Sequence, residues 1–180
     1  IMKFEKHDIK LIILSGKAHS GKSLVADMIN DYYGNKCISI SYAYYIKDYL
    51  SRMNKYSDSN KEEYRSLMQD FGIKLLHDKI DHDFLINRVC EDIEVFSYFY
   101  DVIVISDARM LPEIEIPKSL YKNVTTIRVT SNLPGICDEL KSHITEVALD
   151  KYDGYDYIID NNGSCDELKL KVSNILSEVL

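Results

Sequence analysis

Leu11-Ile12-Ile13-Leu14-Ser15-Gly16-Lys17-Ala18-His19-Ser20-Gly21-Lys22-Ser23 decides the fold. Its first four residues are an unbroken apolar run stopped by Ser15-Gly16, the pattern of a strand buried on both faces of a parallel sheet. Residues 16–23 match G-x-x-x-x-G-K-[ST] without departure. From Lys22 to Tyr33, apolar residues fall at 24, 25, 28, 29 and 32, one face of a helix, and Gly34 stands where a C-terminal cap is expected. A phosphate-binding loop needs this strand–loop–helix context. In it, backbone N–H groups of the loop and the helix N-terminus surround a phosphate, and glycines let the backbone come close. Gly16, Ser20, Gly21, Lys22 and Ser23 are therefore the candidate nucleotide contacts. Lys22 supplies a point charge between the β- and γ-phosphates of ATP, and the Ser23 hydroxyl is a ligand for Mg²⁺. Lys17 and His19 are expected to turn their side chains to solvent.

Working outward, further short strands are predicted at Cys37–Ile40, Val102–Ile105, Val124–Val129 and Tyr157–Ile159. Helical spacing recurs at Ala43, Ile46, Leu50 and Met53. It recurs at Leu67, Met68, Phe71 and Leu75, behind a capping box of Ser59 and Glu62. A helix from about Asp83 buries Leu85, Val89, Ile93 and Phe96. A closing helix, capped by Ser164 and Glu167, buries Leu168, Val172, Ile175, Leu176 and Val179. Alternating strands and helices predict an α/β three-layer P-loop NTPase fold with a mostly parallel five-stranded sheet. The 180 residues fit one domain, 1–180. Between Asn132 and Asp153 the periodicity weakens around Pro134-Gly135, so a lid with a short helical piece is expected over about 131–153.

Composition sets outer limits. Hydrophobic residues are 46% and charged residues 28% of the chain, with a formal net charge of −7 and no basic stripe. A nucleic-acid polymer is thus not the expected partner. Cys37, Cys90, Cys137 and Cys165 form neither a C-x-x-C pair nor a cluster with histidine, so no disulfide framework or zinc site is expected. Met2 reads as the natural start, and the charged segment to Lys10 leads into no secretory apolar region. No apolar run reaches the ~20 residues of a membrane span. A cytoplasmic protein is expected, in which the sequons at Asn123 and Asn162 carry no sugar. Monomer and homodimer are equally compatible with the evenly spread charge.

Asp107 closes the strongest strand, where a carboxylate meets the Mg²⁺ shell or, alternatively, caps a turn. Arg109 follows at the rim where ligands of parallel sheets collect. Only five of the 22 lysines and arginines are arginine, so each is weighed for bidentate phosphate binding. Arg65 and Arg88 border buried helix faces and are read as acceptor-phosphate ligands or as salt-bridge partners. Arg52 and Arg128 are read as structural. His143 and Glu146, three apart, can meet on one helical turn. Tyr42, Tyr44 and Tyr45 are candidates for stacking on a base. His77 and His82 flank Asp78 and Asp81 in a solvated turn.

These stretches resemble the phage and bacterial deoxynucleoside monophosphate kinase family. The resemblance is carried by residues 16–23, 41–47 (S-Y-A-Y-Y-I-K), 65–72 (R-S-L-M-Q-D-F-G), 105–113 (I-S-D-A-R-M-L-P-E), 142–146 with 148–150, and 157–163. It implies transfer of the ATP γ-phosphoryl group to a (deoxy)nucleoside monophosphate. It places Lys47 on the acceptor side, Arg65 and Arg109 on the acceptor phosphate, and Asp107 with Mg²⁺. It also places His143 and Glu146 in a closing lid, and Asn162 on the nucleotide side. Two departures stand out: family members often carry aspartate at the position of Ser23, and usually a second lid arginine near Ser131. Kinases of phosphomevalonate or dephospho-coenzyme A are the alternative within the fold, and a non-catalytic ATP-binding regulator is a third reading. No N-K-x-D motif supports a guanine-reading switch.

Overall fold

The computed structural model describes residues 4–56, 64–132 and 143–179. The Ser59–Glu62 capping box, Pro134-Gly135 and Cys137 lie outside them. Five strands, β1 (Lys10–Ser15), β2 (Cys37–Ile40), β3 (Val102–Ala108), β4 (Val124–Thr130) and β5 (Tyr157–Asp160), form one sheet in the order β2-β3-β1-β4-β5. Every neighbouring pair is parallel. Register is anchored at the centre, where Leu11 of β1 lies opposite Ile103 of β3 and Val124 of β4.

Because side chains alternate across a strand, β1 feeds both cores. Leu11 and Ile13 face a layer made by α2 (Tyr42–Arg52), α4 (Phe84–Phe96) and α5 (Leu111–Leu120), with Tyr42, Tyr45, Val89, Ile93 and Ile114 buried there. Ile12 and Leu14 face α1 (Lys22–Tyr33) and the closing helix α7 (Cys165–Glu178), while α3 (Arg65–Asp70) and the short α6 (Ile144–Val147) complete the described α-helices. Val25, Ile29, Leu168 and Val172 fill that second core. The result is the expected three-layer α/β arrangement.

Three local features depart from expectation. First, β3 continues through Ser106-Asp107 to Ala108, which lies opposite Ser15 after a register shift in β1. Asp107 is thus inside the strand end rather than beyond it. Second, α3 passes into a π-helical stretch at Phe71–Ile80. Wider winding moves neighbours on one face from four to five residues apart. Phe71 and Leu76 accordingly join Met68 against Ile46 and Leu50, while Leu67 and Leu75 are exposed. Third, α5 has no counterpart among the predicted helices because it carries Pro112 and Pro117. Pro117 has no N–H for the carbonyl of Glu113 four residues earlier. The Tyr42 hydroxyl donates to that carbonyl instead, at 2.8 Å, so a side chain of α2 repairs the break.

The closing helix starts as read: Ser164 and Glu167 form a reciprocal capping box at the entry to α7 (Cys165–Glu178). Among the described residues no helix is long and apolar enough to cross a membrane. Cys37, Cys90 and Cys165 are free thiols.

Candidate active site

The loop between β1 and α1 is held by backbone conformations that favour glycine. Gly16 has φ +150° and Gly21 φ +98°. A Cβ on Gly16 would stand 2.3 Å from the Val129 carbonyl oxygen, and one on Gly21 2.2 Å from Asn161 Nδ2. The loop is therefore pressed between β4 and the turn after β5. Asn161 fastens it by donating from Nδ2 to the Ser20 carbonyl at 3.0 Å. Asn162 points elsewhere: its Oδ1 accepts from Asn132 N at 2.7 Å, and its Nδ2 donates to Asp160. The asparagine touching the loop is thus the one before the residue singled out from sequence, because a turn directs successive side chains apart.

Lys22 is buried at the first position of α1, and its Nζ donates to the carbonyls of Gly16 (2.7 Å) and Lys17 (2.6 Å). Burial pushes its ammonium down to about 7; Arg109 and Arg65 push the same way, and Glu146 and Asp107 oppose them. Ser20 Oγ is buried with no hydrogen-bond partner among the described residues. Ser23 is exposed on the first turn of α1. A buried lysine folded onto loop carbonyls and an unused buried hydroxyl are the donor set that a polyphosphate would engage.

Asp107 spans to α2. Its Oδ1 accepts from Tyr42 N (2.8 Å) and its Oδ2 from Ala43 N (2.9 Å), while Ser41 caps the same helix through Tyr44 N. The carboxylate thus satisfies N-terminal N–H groups of α2, a helix cap where the sequence offers the cap of a turn as the alternative to metal contact. Arg109, one residue past β3, pairs through Nη1 with Glu146 of α6. Its own N–H donates to Glu113 Oε2 at 2.6 Å. Glu146 also accepts from Ala18 N of the loop at 2.9 Å, and its side chain is 1% exposed.

The remaining candidates divide. Arg65 reaches the loop, with Nη2 3.2 Å from His19 Nε2. His143 caps α6 with Nδ1 accepting from Thr145 N at 3.3 Å. Lys47 lies half-buried with Nζ 6.0 Å above the Tyr56 ring. Arg88 is turned to Glu91 (2.9 Å) and stacked 5.1 Å from the Tyr45 ring, which places it in the salt-bridge reading. Tyr42 and Tyr45 are core residues, leaving Tyr44, 59% exposed, as the one ring of the three available to a ligand. Arg128, read as structural, holds the Leu149 carbonyl and Asp150 and also lines the cleft. Lys17 faces solvent as expected, its side chain 53% exposed, and bridges to Asp150 at 2.9 Å.

Loop, β3 end, Arg128 and α6 thus line a narrow cleft of about 10 Å³, room for about one water, at the C-terminal ends of β1, β3 and β4. Sequence reasoning did not find Asn161, Asp150 or Gln69, whose Nε2 donates to Thr145 Oγ1 at 3.1 Å. All three lay in the stretches that carry the family resemblance, but their partners are distant in sequence: Ser20 for Asn161, Lys17 and Arg128 for Asp150, and Thr145 for Gln69. Among the described residues no group of three or more His, Cys, Asp or Glu is placed to hold a metal. A second groove, about 580 Å³ between Phe4, Val95 and Phe99, lies at the opposite end of the strands.

A family model described as deoxynucleotide monophosphate kinase matches residues 51–172. The deoxynucleotide monophosphate kinase of Enterobacteria phage T4 is 32% identical over 113 residues, covering 62% of this chain and 44% of that protein. The chain therefore spans less than half the length of that relative. Among solved structures, TT1252 from Thermus thermophilus aligns at TM-score 0.57 and 17% identity, over 97% of this chain and 100% of the other. The APS kinase CysC of Mycobacterium tuberculosis aligns at 0.54 and 12%, over 95% and 99%. A dephospho-CoA kinase from Campylobacter jejuni aligns at 0.54 and 13%, over 94% and 97%. At such identities these structures share a fold with this chain.

Proposed function

The chain belongs to the deoxynucleotide monophosphate kinase family, and from that membership and the geometry of the loop we propose that it transfers the ATP γ-phosphoryl group to a deoxynucleoside monophosphate. The observation that carries the reading is the buried Lys22 beside a loop that also faces Arg109 across the cleft. One basic group thus serves the donor phosphates and another the acceptor side. An acceptor phosphate is already ionised near pH 7, so the reaction needs positioning and charge neutralisation more than a strong base. Lys22 exchanges its bonds to the Gly16 and Lys17 carbonyls for phosphate oxygens. Loop N–H groups and the Ser20 hydroxyl complete the donor cradle. Arg109 and Arg65, approaching from β3 and α3, orient the acceptor phosphate in line.

Mg²⁺, when bound, screens the phosphate charge and polarises the transferred group. Ser23, exposed at the start of α1, is the residue to ligate it. Asp107 already gives each oxygen to an α2 N–H, so its remaining lone pairs suit the metal's water shell. Activity in the cytoplasm, without a macromolecular partner, belongs to this same proposal.

The test is ADP release with MgATP against a panel of ribo- and deoxyribonucleoside monophosphates, with phosphomevalonate and dephospho-coenzyme A included. Release that depends on one or a few deoxynucleotides is the expected result. A signal only with a non-nucleotide acceptor would overturn the substrate assignment, and silence with every acceptor would overturn the enzyme reading.

A further inference from the structure

Glu146 sits where an anion of another kind belongs. Its carboxylate accepts from Ala18 N, a backbone donor of the phosphate loop. Its second oxygen pairs with Arg109, the cation that faces the loop. It is also close enough to Lys22 to raise that lysine's proton affinity. One side-chain carboxylate thus bridges the loop and Arg109 across the cleft. A phosphoryl group passing from donor to acceptor would need the same donors.

The placement is reinforced around α6. Asp150 is held by Lys17 of the loop at 2.9 Å and by Arg128 of β4 at 3.2 Å. Arg128 Nη1 donates to the Leu149 carbonyl at 2.6 Å, and Gln69 to Thr145 at 3.1 Å. One contact, from Gln69, holds the four-residue helix itself, which is too short to order itself, and three more hold Leu149 and Asp150 just past its end. What they hold in place is a negative charge in a phosphate site.

Resting on the kinase reading above, we propose that Glu146 is a built-in stand-in for the transferred phosphoryl group, which the incoming nucleoside triphosphate must expel, thereby releasing Arg109 to the acceptor phosphate. Carboxylate and γ-phosphate cannot share Ala18 N and Arg109, because like charges at contact in a water-poor cleft repel strongly. Glu146 therefore weakens triphosphate binding when no acceptor is present. Once the donor is bound, Arg109 has lost its partner, so the acceptor phosphate meets an unpaired guanidinium. Donor and acceptor then tighten one another's binding, and by linkage the factor is the same in both directions. Glu146 is a positioning residue in this scheme, acting through Arg109 and through exclusion.

The experiment measures binding of the non-hydrolysable β,γ-imido analogue of ATP, with Mg²⁺, by calorimetry on the full chain and on Glu146→Gln. Binding of the best monophosphate from the acceptor panel is then measured with and without the analogue. The variant should bind the analogue about tenfold more tightly and lose most of the donor–acceptor coupling, within the usual range of such couplings. It should do so despite a lower melting temperature, since Arg109 has lost its partner. Equal or weaker binding by a folded variant, or unchanged coupling, overturns the proposal. Should Glu146→Gln not fold, Asp150→Asn decides: loosening α6 should tighten analogue binding about threefold, and no tightening overturns the inference. The analogue titrations need no acceptor, so they stand if the substrate assignment fails. An unmodified chain that binds no analogue would instead overturn the kinase reading itself.

Discussion

The phosphate loop and the basic residues around it rest on different physical footings. Residues 16–23 owe their shape to the backbone: two glycines at positive φ, a central strand before them and a helix after them. Distant side chains fasten that shape, Asn161 at the Ser20 carbonyl and Glu146 at Ala18 N, but the positive-φ glycines that make it are local. Arg109, Arg65 and Glu146 come from β3, α3 and α6, and their meeting depends on side-chain contacts between residues far apart in sequence. Arg109 reaches a partner 37 positions away and Arg65 one 46 positions away. On the proposed reading, the donor side is a preformed cradle and the acceptor side a set of charges held by one another, able to exchange partners when phosphates arrive.

If that contrast is right, the largest loss comes from the cradle. Lys22→Ala should lower turnover about 10²- to 10³-fold, the scale for removing one preorganised stabiliser of transition-state charge. It should also weaken nucleotide binding. Turnover within a few-fold of the unmodified chain would break the assignment of the loop. The same lysine gives a proton signature. Its ammonium sits at about 7 against an ordinary 10.5, so between those values the unfolded chain binds more protons and this group makes stability rise with pH. Phosphate oxygens favour the charged form, so nucleotide binding near pH 8.5 should take up about one proton. Calorimetry in buffers of different ionisation enthalpy reads the uptake, which should vanish in Lys22→Ala.

The same contrast explains what the sequence discloses. Every strand of the sheet was legible, because buried parallel strands are short, local, apolar runs bounded by turns. The loop was legible for the same reason: Gly16 to Ser23 is one contiguous pattern. Helix α5 was not, since Pro112 and Pro117 argue against a helix and the compensating Tyr42 hydroxyl comes from 71 residues away. The buried face after Phe71 was misread because a 3.6-residue period was applied to wider winding. Within the site, residue types were visible but pairings were not. Asp107 reads as a metal partner or as the cap of a turn, and only the position of α2 shows that both its oxygens are in use. Glu146 was recognised through the family pattern, while its contact with Ala18 needed the fold.

The acceptor side can be sharpened with Arg65. Its guanidinium reaches His19 on the loop, so it stands on the wall that an acceptor phosphate would approach. Hydrogen bonds to charged groups contribute about 1.5–3 kcal/mol. Arg65→Ala should therefore raise KM for the monophosphate about 10- to 100-fold while KM for ATP changes little. Equal losses for both substrates would place Arg65 on the donor side and erase the division.

Arg88 supplies the smallest effect and the cleanest contrast with Arg65. Both stand beside apolar positions on helices, and the sequence weighed them alike. In the fold Arg88 pairs with Glu91 one turn along its own helix, with side chains 45% and 64% exposed. Helix-surface pairs at this spacing contribute about 0.2–0.5 kcal/mol, and its guanidinium also covers the Tyr45 ring at 5.1 Å. Arg88→Ala should change kcat and both KM values by less than about twofold, since no more than a weak surface pair is lost. A tenfold rise in acceptor KM would mean that Arg88 leaves Glu91 when substrate binds. The acceptor side would then extend along α4, and the arginines could not be sorted by the partners they hold at rest.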